Sequence, residues 1–316
     1  MNQIIPSMDL NEFKSSQIES KNNFVKKLGE AYEEVGFISL KNYGLNHEIE
    51  DELYTEVKSF FSLPLEQKLQ YEKPELNGQR GYVSFGRETA KGHSQSDLKE
   101  FWHFGQELDK GDSLYNVYEP NVQCNEIPNF NKIGRKVFSI LENTGIEILK
   151  ALALHLNLPE NYFDSKVKGG NSILRAIHYP PITSEPKGAV RAAPHGDINL
   201  ITILMGASAA GLEVQTRSGN WIPVTALPNQ VVINIGDMMS RLTNNKLHSS
   251  IHKVINPPKE EWSKPRFSIP FFMHPRSEMS LNCLPSCISD QNPKKYNDIT
   301  AGQFLEERIK ELGLKK

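Results

Sequence analysis

His195-Gly196-Asp197-Ile198-Asn199-Leu200-Ile201-Thr202-Ile203-Leu204 is the stretch on which the fold of this chain turns. From Ile198 onward every residue but Asn199 is aliphatic or β-branched, the texture of a short buried strand. An extended backbone repeats every two residues, so this reading projects the His195 imidazole and the Asp197 carboxylate to the same side. A lone His-x-Asp is a weak pattern. On one face, however, the pair makes two members of a ligand set that caps one side of a metal and leaves the other open.

Outward from that stretch lie more runs of the same kind: Ile173–Tyr179, Asn199–Leu204 itself, Leu212–Gln215, Val231–Ile235, Ile251–Ile255 and Phe267–Met273, separated by Gly, Pro and Asn. Short strands at such spacing predict a sandwich or barrel of jelly-roll type. His252, in the run Ile251–Ile255, is the candidate third ligand from a neighbouring strand. Arg266 and Ser268 stand two apart and share a face, and a guanidinium fork beside a hydroxyl suits a carboxylate. Two His and one Asp can also hold a hydrolytic zinc, but that reading leaves Arg266 and Ser268 without a task.

The rest of the chain is largely helical. Apolar residues at helical spacing predict helices over Ser16–Val35, Asn46–Ser62 (with Asn46 as N-cap), Pro128–Leu156 and Thr300–Leu312, with a short strand at Phe37–Leu40. No repeat or low-complexity linker divides the sequence, which predicts one domain over 1–316. It comprises a mainly helical part at 1–165, a mostly β core at 170–285 and a C-terminal helix at 298–316.

Composition sets the outer limits. The 316 residues carry 36 Lys and Arg against 38 Asp and Glu, a formal charge of −2 that argues against a dedicated nucleic-acid binder. The most apolar run, Leu200–Leu212, is too short for a bilayer, and the N-terminus lacks the basic-then-apolar order of a secretory signal. Cys124, Cys283 and Cys287 are too few for a disulfide framework, and Cys283-x3-Cys287 lacks further cysteines for zinc. The expectation is a cytoplasmic protein, monomeric and without nucleic-acid or membrane partners.

Together, His195-x-Asp197, His252 and Arg266-x-Ser268 resemble the isopenicillin N synthase-like branch of the iron(II)/2-oxoglutarate-dependent oxygenases. The likeness runs nearly end to end. It includes Ile5–Leu10, Gly36-Phe37, Gly81–Lys91, Leu98–His103, Gly211-Leu212, Trp221–Val224, Asn234–Asp237 and Thr243–Asn245. The resemblance implies a distorted double-stranded β-helix, with iron(II) held by His195, Asp197 and His252. It implies 2-oxoglutarate held by Arg266, Ser268 and Tyr179, with O2 consumed, succinate and CO2 formed, and a small-molecule substrate oxidised, by default hydroxylated. One position departs: Ile177 stands where the family often carries Asn, two residues before Tyr179-Pro180.

Two other readings stay open at this stage. A 2-oxoglutarate-independent oxidase or cyclase of the isopenicillin N synthase type uses the Arg-x-Ser pair for its own substrate. A non-catalytic jelly roll could retain a metal site. Substrate access is expected along Tyr82–Lys91, Phe101–His103 and the C-terminal helix, with Tyr82, Arg87 and His103 as candidate substrate contacts. His178, His248 and His274 read as structural or solvent-facing.

Overall fold

The structure, a computed structural model, describes residues 5–88, 95–112, 114–115, 117–206, 210–224 and 229–311. The strands are β1 (Ser7–Asp9), β2 (Phe37–Lys41), β3 (Gly81–Val83), β4 (Glu100–Gly105), β5 (Ile173–Tyr179), β6 (Ala192–His195), β7 (Ile201–Leu204), β8 (Leu212–Gln215), β9 (Trp221–Pro223), β10 (Val231–Ile235), β11 (His252–Val254), β12 (Arg266–Ser268) and β13 (Pro270–Met273). The helices are α1 (Leu10–Lys14), α2 (Ile18–Glu34), α3 (His47–Phe61), α4 (Leu65–Leu69), α5 (Phe130–His155), α6 (Asp164–Val167), α7 (Asp237–Leu242) and α8 (Ala301–Glu311). None of the described helices is long and apolar enough to cross a membrane.

Two sheets make the jelly roll. The larger, of nine strands among the described residues, runs β1-β2-β10-β7-β13-β5-β4-β3, with β12 also paired to β5; the smaller runs β6-β11-β8-β9. β1 and β2 pair in parallel, and the β4–β5 and β5–β12 ladders that carry much of the site are antiparallel.

Four of the larger sheet's strands, β1 to β4, come from the segment read as mainly helical, so the β core is not confined to 170–285. Glu100–Gly105 was not legible as a strand because it is buried on both faces and shows no polar alternation. On the outer face, α2, α3 and α5 cover the sheet. Phe60, Trp102, Phe104, Phe130, Leu174 and Phe271 share that core. On the inner face a second apolar group gathers Phe37, Phe101, Ile177, Tyr179, Val214 and Val254. The strand period of two explains the division: Leu174 and Ala176 of β5 go to the helices, Ile177 and Tyr179 to the space between the sheets. Asn46 does cap its helix, its Oδ1 accepting from the Ile49 N–H at 2.9 Å.

The stretch His195–Leu204 is not one strand. His195 ends β6 in the smaller sheet, Gly196–Leu200 form a turn, and Ile201 starts β7 in the larger one. The turn is stable because the entry to α7 satisfies its carbonyls. The N–H groups of Asp237, Met238 and Gly236 donate to Asp197 (2.7 Å), Ile198 (3.2 Å) and Leu200 (3.0 Å). Asn199 adds a donor to the Ile201 carbonyl at 2.6 Å, a side-chain competitor for the ladder. Likewise Phe267–Met273 splits into β12 and β13. Among the described strands Arg266–Ser268 pair only with β5, whereas Pro270–Met273 also pair with β7.

Candidate metal centre and its two cavities

The smaller sheet brings two imidazoles together. β11 lies antiparallel to β6 with His252 directly opposite His195, and the ring centroids are 4.5 Å apart. Asp197 arrives from the turn rather than along the strand, so the three residues converge by a change of sheet and not by period two. Their candidate ligand atoms all lie within 4.8 Å of one another, with His252 Nε2 at 3.7 Å from Asp197 Oδ1.

Each donor is oriented from behind. His195 Nδ1 lies 2.7 Å from the Ala193 carbonyl and His252 Nδ1 lies 3.3 Å from that of Ser250. Placing the proton on Nδ1 leaves both Nε2 lone pairs facing inward. Thr202 Oγ1 (2.6 Å) and Asn234 Nδ2 (2.8 Å) both donate to Asp197 Oδ2, which leaves Oδ1 toward the imidazoles. Burial, with the neighbouring His252, pushes His195 down to about 4, so it is neutral at physiological pH, the form that ligates. Burial would raise Asp197, but His252 and His195, with the donors Asn234 and Thr202, outweigh it and hold the carboxyl below its usual value. Two imidazole nitrogens and one carboxylate oxygen on one face fit a divalent first-row metal with open positions, iron(II) among them.

Beside this cluster lies an inner cavity. Arg266 pairs across the ladder with Tyr179, and Ser268 with Ile177, so the period-two reading of Arg266 and Ser268 holds. All four line the cavity together with His195, Asp197 and His252. The Arg266 guanidinium sits 5.0 Å from the Tyr179 ring centre. Ile177 therefore presents an aliphatic side chain where the family often places an amide.

A larger outer cavity of about 330 Å³ opens on the other side of the cluster. Lys99, Arg175 and Phe272 line both spaces. The wall between them is charged and paired: Lys99 to Glu88 (2.9 Å) and Asp97 (2.8 Å), Arg175 to Glu88 (3.3 Å). Burial works against the Glu88 carboxylate, yet Arg175 and Lys99 hold it far below the usual range. His103 lines the outer cavity with both nitrogens engaged: Nδ1 donates to the Gly78 carbonyl (2.7 Å) and Nε2 accepts from Arg175 Nε (2.6 Å). The C-terminal helix closes one side through Leu305, Arg308, Ile309 and Glu311.

Two expected substrate contacts fall elsewhere. Tyr82 lines neither cavity; it pairs in register with Trp102, shares that residue's helix-facing side, and its hydroxyl donates to Glu100. Arg87 is half exposed and ion-paired to Glu72 at 2.7 Å, away from both cavities. Residues 89–91 of the expected access segment lie outside the described residues, as do 312–316 of the C-terminal segment.

His178 is structural, with Nδ1 2.7 Å from Glu100 and its ring stacked on Phe267. His274 is buried and also lines the outer cavity. Lys99, Glu88 and Arg175 were assigned no role from the sequence, and His274 was read there only as structural or solvent-facing. A signal for two of them existed: counting back in twos from Tyr179 reaches Arg175, and forward from Ser268 reaches Phe272 and His274. Cys124, Cys283 and Cys287 are all free and buried.

Comparison with known proteins bears on this geometry. Residues 170–275 match the 2OG-Fe(II) oxygenase superfamily, and residues 5–128 match the N-terminal region described as "non-haem dioxygenase in morphine synthesis". The proline hydroxylase buaE of Petromyces alliaceus is 30% identical over 96% of this chain and 98% of its own length. A 2OG-Fe(II) oxygenase family protein from Caulobacter crescentus has a crystal structure 41% identical, with a TM-score of 0.87 over 97% of this chain and 98% of that one. A full-length Neurospora crassa protein, crystallised in complex with alpha-KG and thymine, is 30% identical with a TM-score of 0.85, covering 98% of both chains.

Proposed function

The chain belongs to the 2OG-Fe(II) oxygenase superfamily, and on that premise we propose which of its residues carry each part of the reaction. The enzyme is an iron(II)- and 2-oxoglutarate-dependent dioxygenase with O2 as co-substrate. In this proposal His195, Asp197 and His252 hold the iron, and Arg266, Ser268 and Tyr179 hold the distal carboxylate of 2-oxoglutarate. The observation that carries it is the register of β11 on β6, with His252 opposite His195 and Asp197 Oδ1 turned toward both.

Bound iron(II), with 2-oxoglutarate and O2, supplies an oxidation that yields succinate and CO2 and attacks a C–H bond of the substrate. The chain's own work is positional. Thr202 and Asn234 fix the Asp197 carboxylate, and the carbonyls of Ala193 and Ser250 fix the imidazoles. Arg266 offers a planar fork that matches a carboxylate. Phe37, Ile177, Leu204, Leu212 and Val254 line the inner cavity with apolar surface, which excludes water and strengthens those polar contacts. The substrate is a small molecule, taken in the outer cavity and hydroxylated there. The Neurospora protein crystallised with thymine and the relative named proline hydroxylase both suit a compact substrate.

The whole chain 1–316 acts as one catalytic domain in this reading, as a cytoplasmic monomer without nucleic-acid partners. Its near-balanced charge and three free, buried cysteines support that setting. The test is anaerobic: adding 2-oxoglutarate to the iron(II) protein is expected to produce a metal-to-ligand charge-transfer band, lost in His195→Ala, Asp197→Ala and His252→Ala. A band of wild-type intensity in any of the three variants would overturn the ligand assignment.

A further inference from the structure

From Arg266 onward, every second residue faces the space between the sheets. Arg266, Ser268, Pro270 and Phe272 line the inner cavity, and Phe272 and His274 line the outer one. One edge of chain therefore runs from the proposed co-substrate anchor to the substrate space and ends at His274. Across the ladder, β5 tracks it with Tyr179, Ile177, Arg175 and Ile173.

We propose that His274 contacts the prime substrate, and that with Arg175 it selects a small uncharged molecule presenting a carbonyl and an N–H on one edge, as a cyclic amide or imide does. This rests on the reading that the outer cavity receives the prime substrate.

Three observations carry it. His274 is 7% exposed, and its Nδ1 is buried with no hydrogen-bond partner among the described residues. A buried polar nitrogen left unpaired costs stability, about as much as a typical hydrogen bond or more. The backbone of His274 is tied to Ser172, whose Oγ accepts from its N–H at 3.2 Å, so the ring is carried on a fixed stem.

The second observation is the charge pattern. Lys99 is matched by Glu88 and Asp97, Arg175 by Glu88, and Arg308 by Glu311 at 3.1 Å. Asp237 accepts from the Ser249 hydroxyl at 2.7 Å, so its carboxylate is already engaged. Walls so matched favour a neutral guest, because burying a substrate charge without a partner is costly. Burial, with Arg175 and Arg80 nearby, outweighs the pull of Asp197 and lowers the His274 imidazole to about 4. It therefore stays neutral and offers one donor and one acceptor.

The third observation is the fixed geometry of Arg175. Its Nε donates to His103 and its Nη1 meets Glu88, while its guanidinium lies 4.2 Å from the centre of the Phe101 ring and 5.2 Å from that of Phe272. A guanidinium held on three sides is a preorganised donor to a carbonyl. The half-buried Phe272 ring beside it gives a flat apolar surface for the body of the substrate.

The experiment compares three probes: thymine as a neutral cyclic imide, L-proline as a zwitterion and benzoate as an anion. Each is titrated calorimetrically into the anaerobic iron(II)–2-oxoglutarate protein and assayed for stimulated succinate release. Wild type is expected to bind thymine and respond to it over the charged probes. His274→Leu should weaken thymine binding about 5- to 10-fold, with KM rising more than kcat falls, and His274→Gln should recover part of the loss by restoring a donor and an acceptor. The charge-transfer band recorded on the same samples reports whether each variant keeps the inner cavity, and His274→Gln carries the comparison if His274→Leu has lost it. Preference for proline or benzoate, or thymine binding unchanged in both variants, overturns the inference while leaving the metal reading intact. Absence of the band in wild type overturns that reading and this inference with it.

Discussion

Asp197 has two oxygens with different duties, and the difference is set by its neighbours. Oδ2 receives Thr202 and Asn234, so the carboxylate cannot rotate Oδ1 away from His252 without breaking two hydrogen bonds in a buried place. Removing such support from a metal ligand typically costs 10- to 100-fold in metal affinity. Asn234→Ala is therefore expected to weaken iron(II) binding by about 10- to 100-fold. Competition with a chelating dye measures it; an unchanged dissociation constant would show that Asp197 orients itself without this donor. Arg266 is the matching case on the co-substrate side. A charge-assisted hydrogen bond is worth about 1.5–3 kcal/mol, so Arg266→Leu should raise the 2-oxoglutarate KM roughly 10- to 150-fold. Arg266→Lys should recover only part, because an ammonium keeps the charge and loses the fork. Tyr179→Phe should cost less, about 0.5–1.5 kcal/mol for one neutral bond. A 2-oxoglutarate titration of succinate formation checks all three, and an unchanged KM in Arg266→Leu would misplace the anchor.

At the scale of elements, the central helix α5 rests on the large sheet at two glycines whose surroundings differ. A Cβ on Gly134 would overlap the Phe104 ring, which is itself packed between Trp102 and Phe130. A Cβ on Gly145 would meet the sulfur of Met273, the flexible end of an unbranched side chain. Replacing Gly by Ala in a helix interior gains up to about 1 kcal/mol in propensity, while overpacking a rigid core costs about 1–3 kcal/mol. Gly134→Ala should thus lower the urea midpoint and Gly145→Ala should leave it near wild type; equal effects would mean that the Phe104 ring can move aside. The same scale explains what could be read from the sequence. Ile173–Tyr179 and Val231–Ile235 were legible to the residue, the second as a β-branched run and the first as a run ending in an aromatic residue and closed by Pro180. β6 was not, because Ala192-Ala193-Pro194-His195 has neither β propensity nor length, and it carries one of the candidate ligands. His195 and Asp197 carry the expected chemistry through a different geometry: a turn held by the start of α7, not a pleat, brings the carboxylate round. Lys99 and Glu88 escaped because buried ion pairs between distant segments leave no local pattern.

For the molecule as a whole, the cavity's buried ionisable groups tie stability to pH when no metal is bound. His274 is lowered to about 4 by burial and nearby guanidinium groups, against 6.5 when exposed. Between those values the unfolded chain binds a proton that the folded chain refuses, so stability falls as pH falls through that window. His195, also lowered to about 4, and His103, held well below its ordinary value by burial and Arg175, act with the same sign. Glu88 adds to the loss at lower pH: its folded value is depressed, so its contribution is complete above the ordinary Glu range and disappears as pH drops below it. The urea midpoint of metal-free protein, measured in chelator, should therefore decline from pH 7 to pH 4 with a slope steepening as more groups enter. Each refused proton contributes at most about 1.4 kcal/mol per pH unit. His274→Leu removes one such group, so its curve should be shallower between pH 6.5 and 4 and should run parallel to wild type above pH 7. Iron(II) requires the imidazoles of His195 and His252 to be neutral and stabilises only the folded chain, so adding it at pH 7 should raise the midpoint by an amount that shrinks as the pH is lowered. A flat wild-type profile between pH 7 and 5, or parallel profiles for wild type and His274→Leu throughout, would mean that the cavity admits water freely enough for His274 to titrate as it does in the unfolded chain.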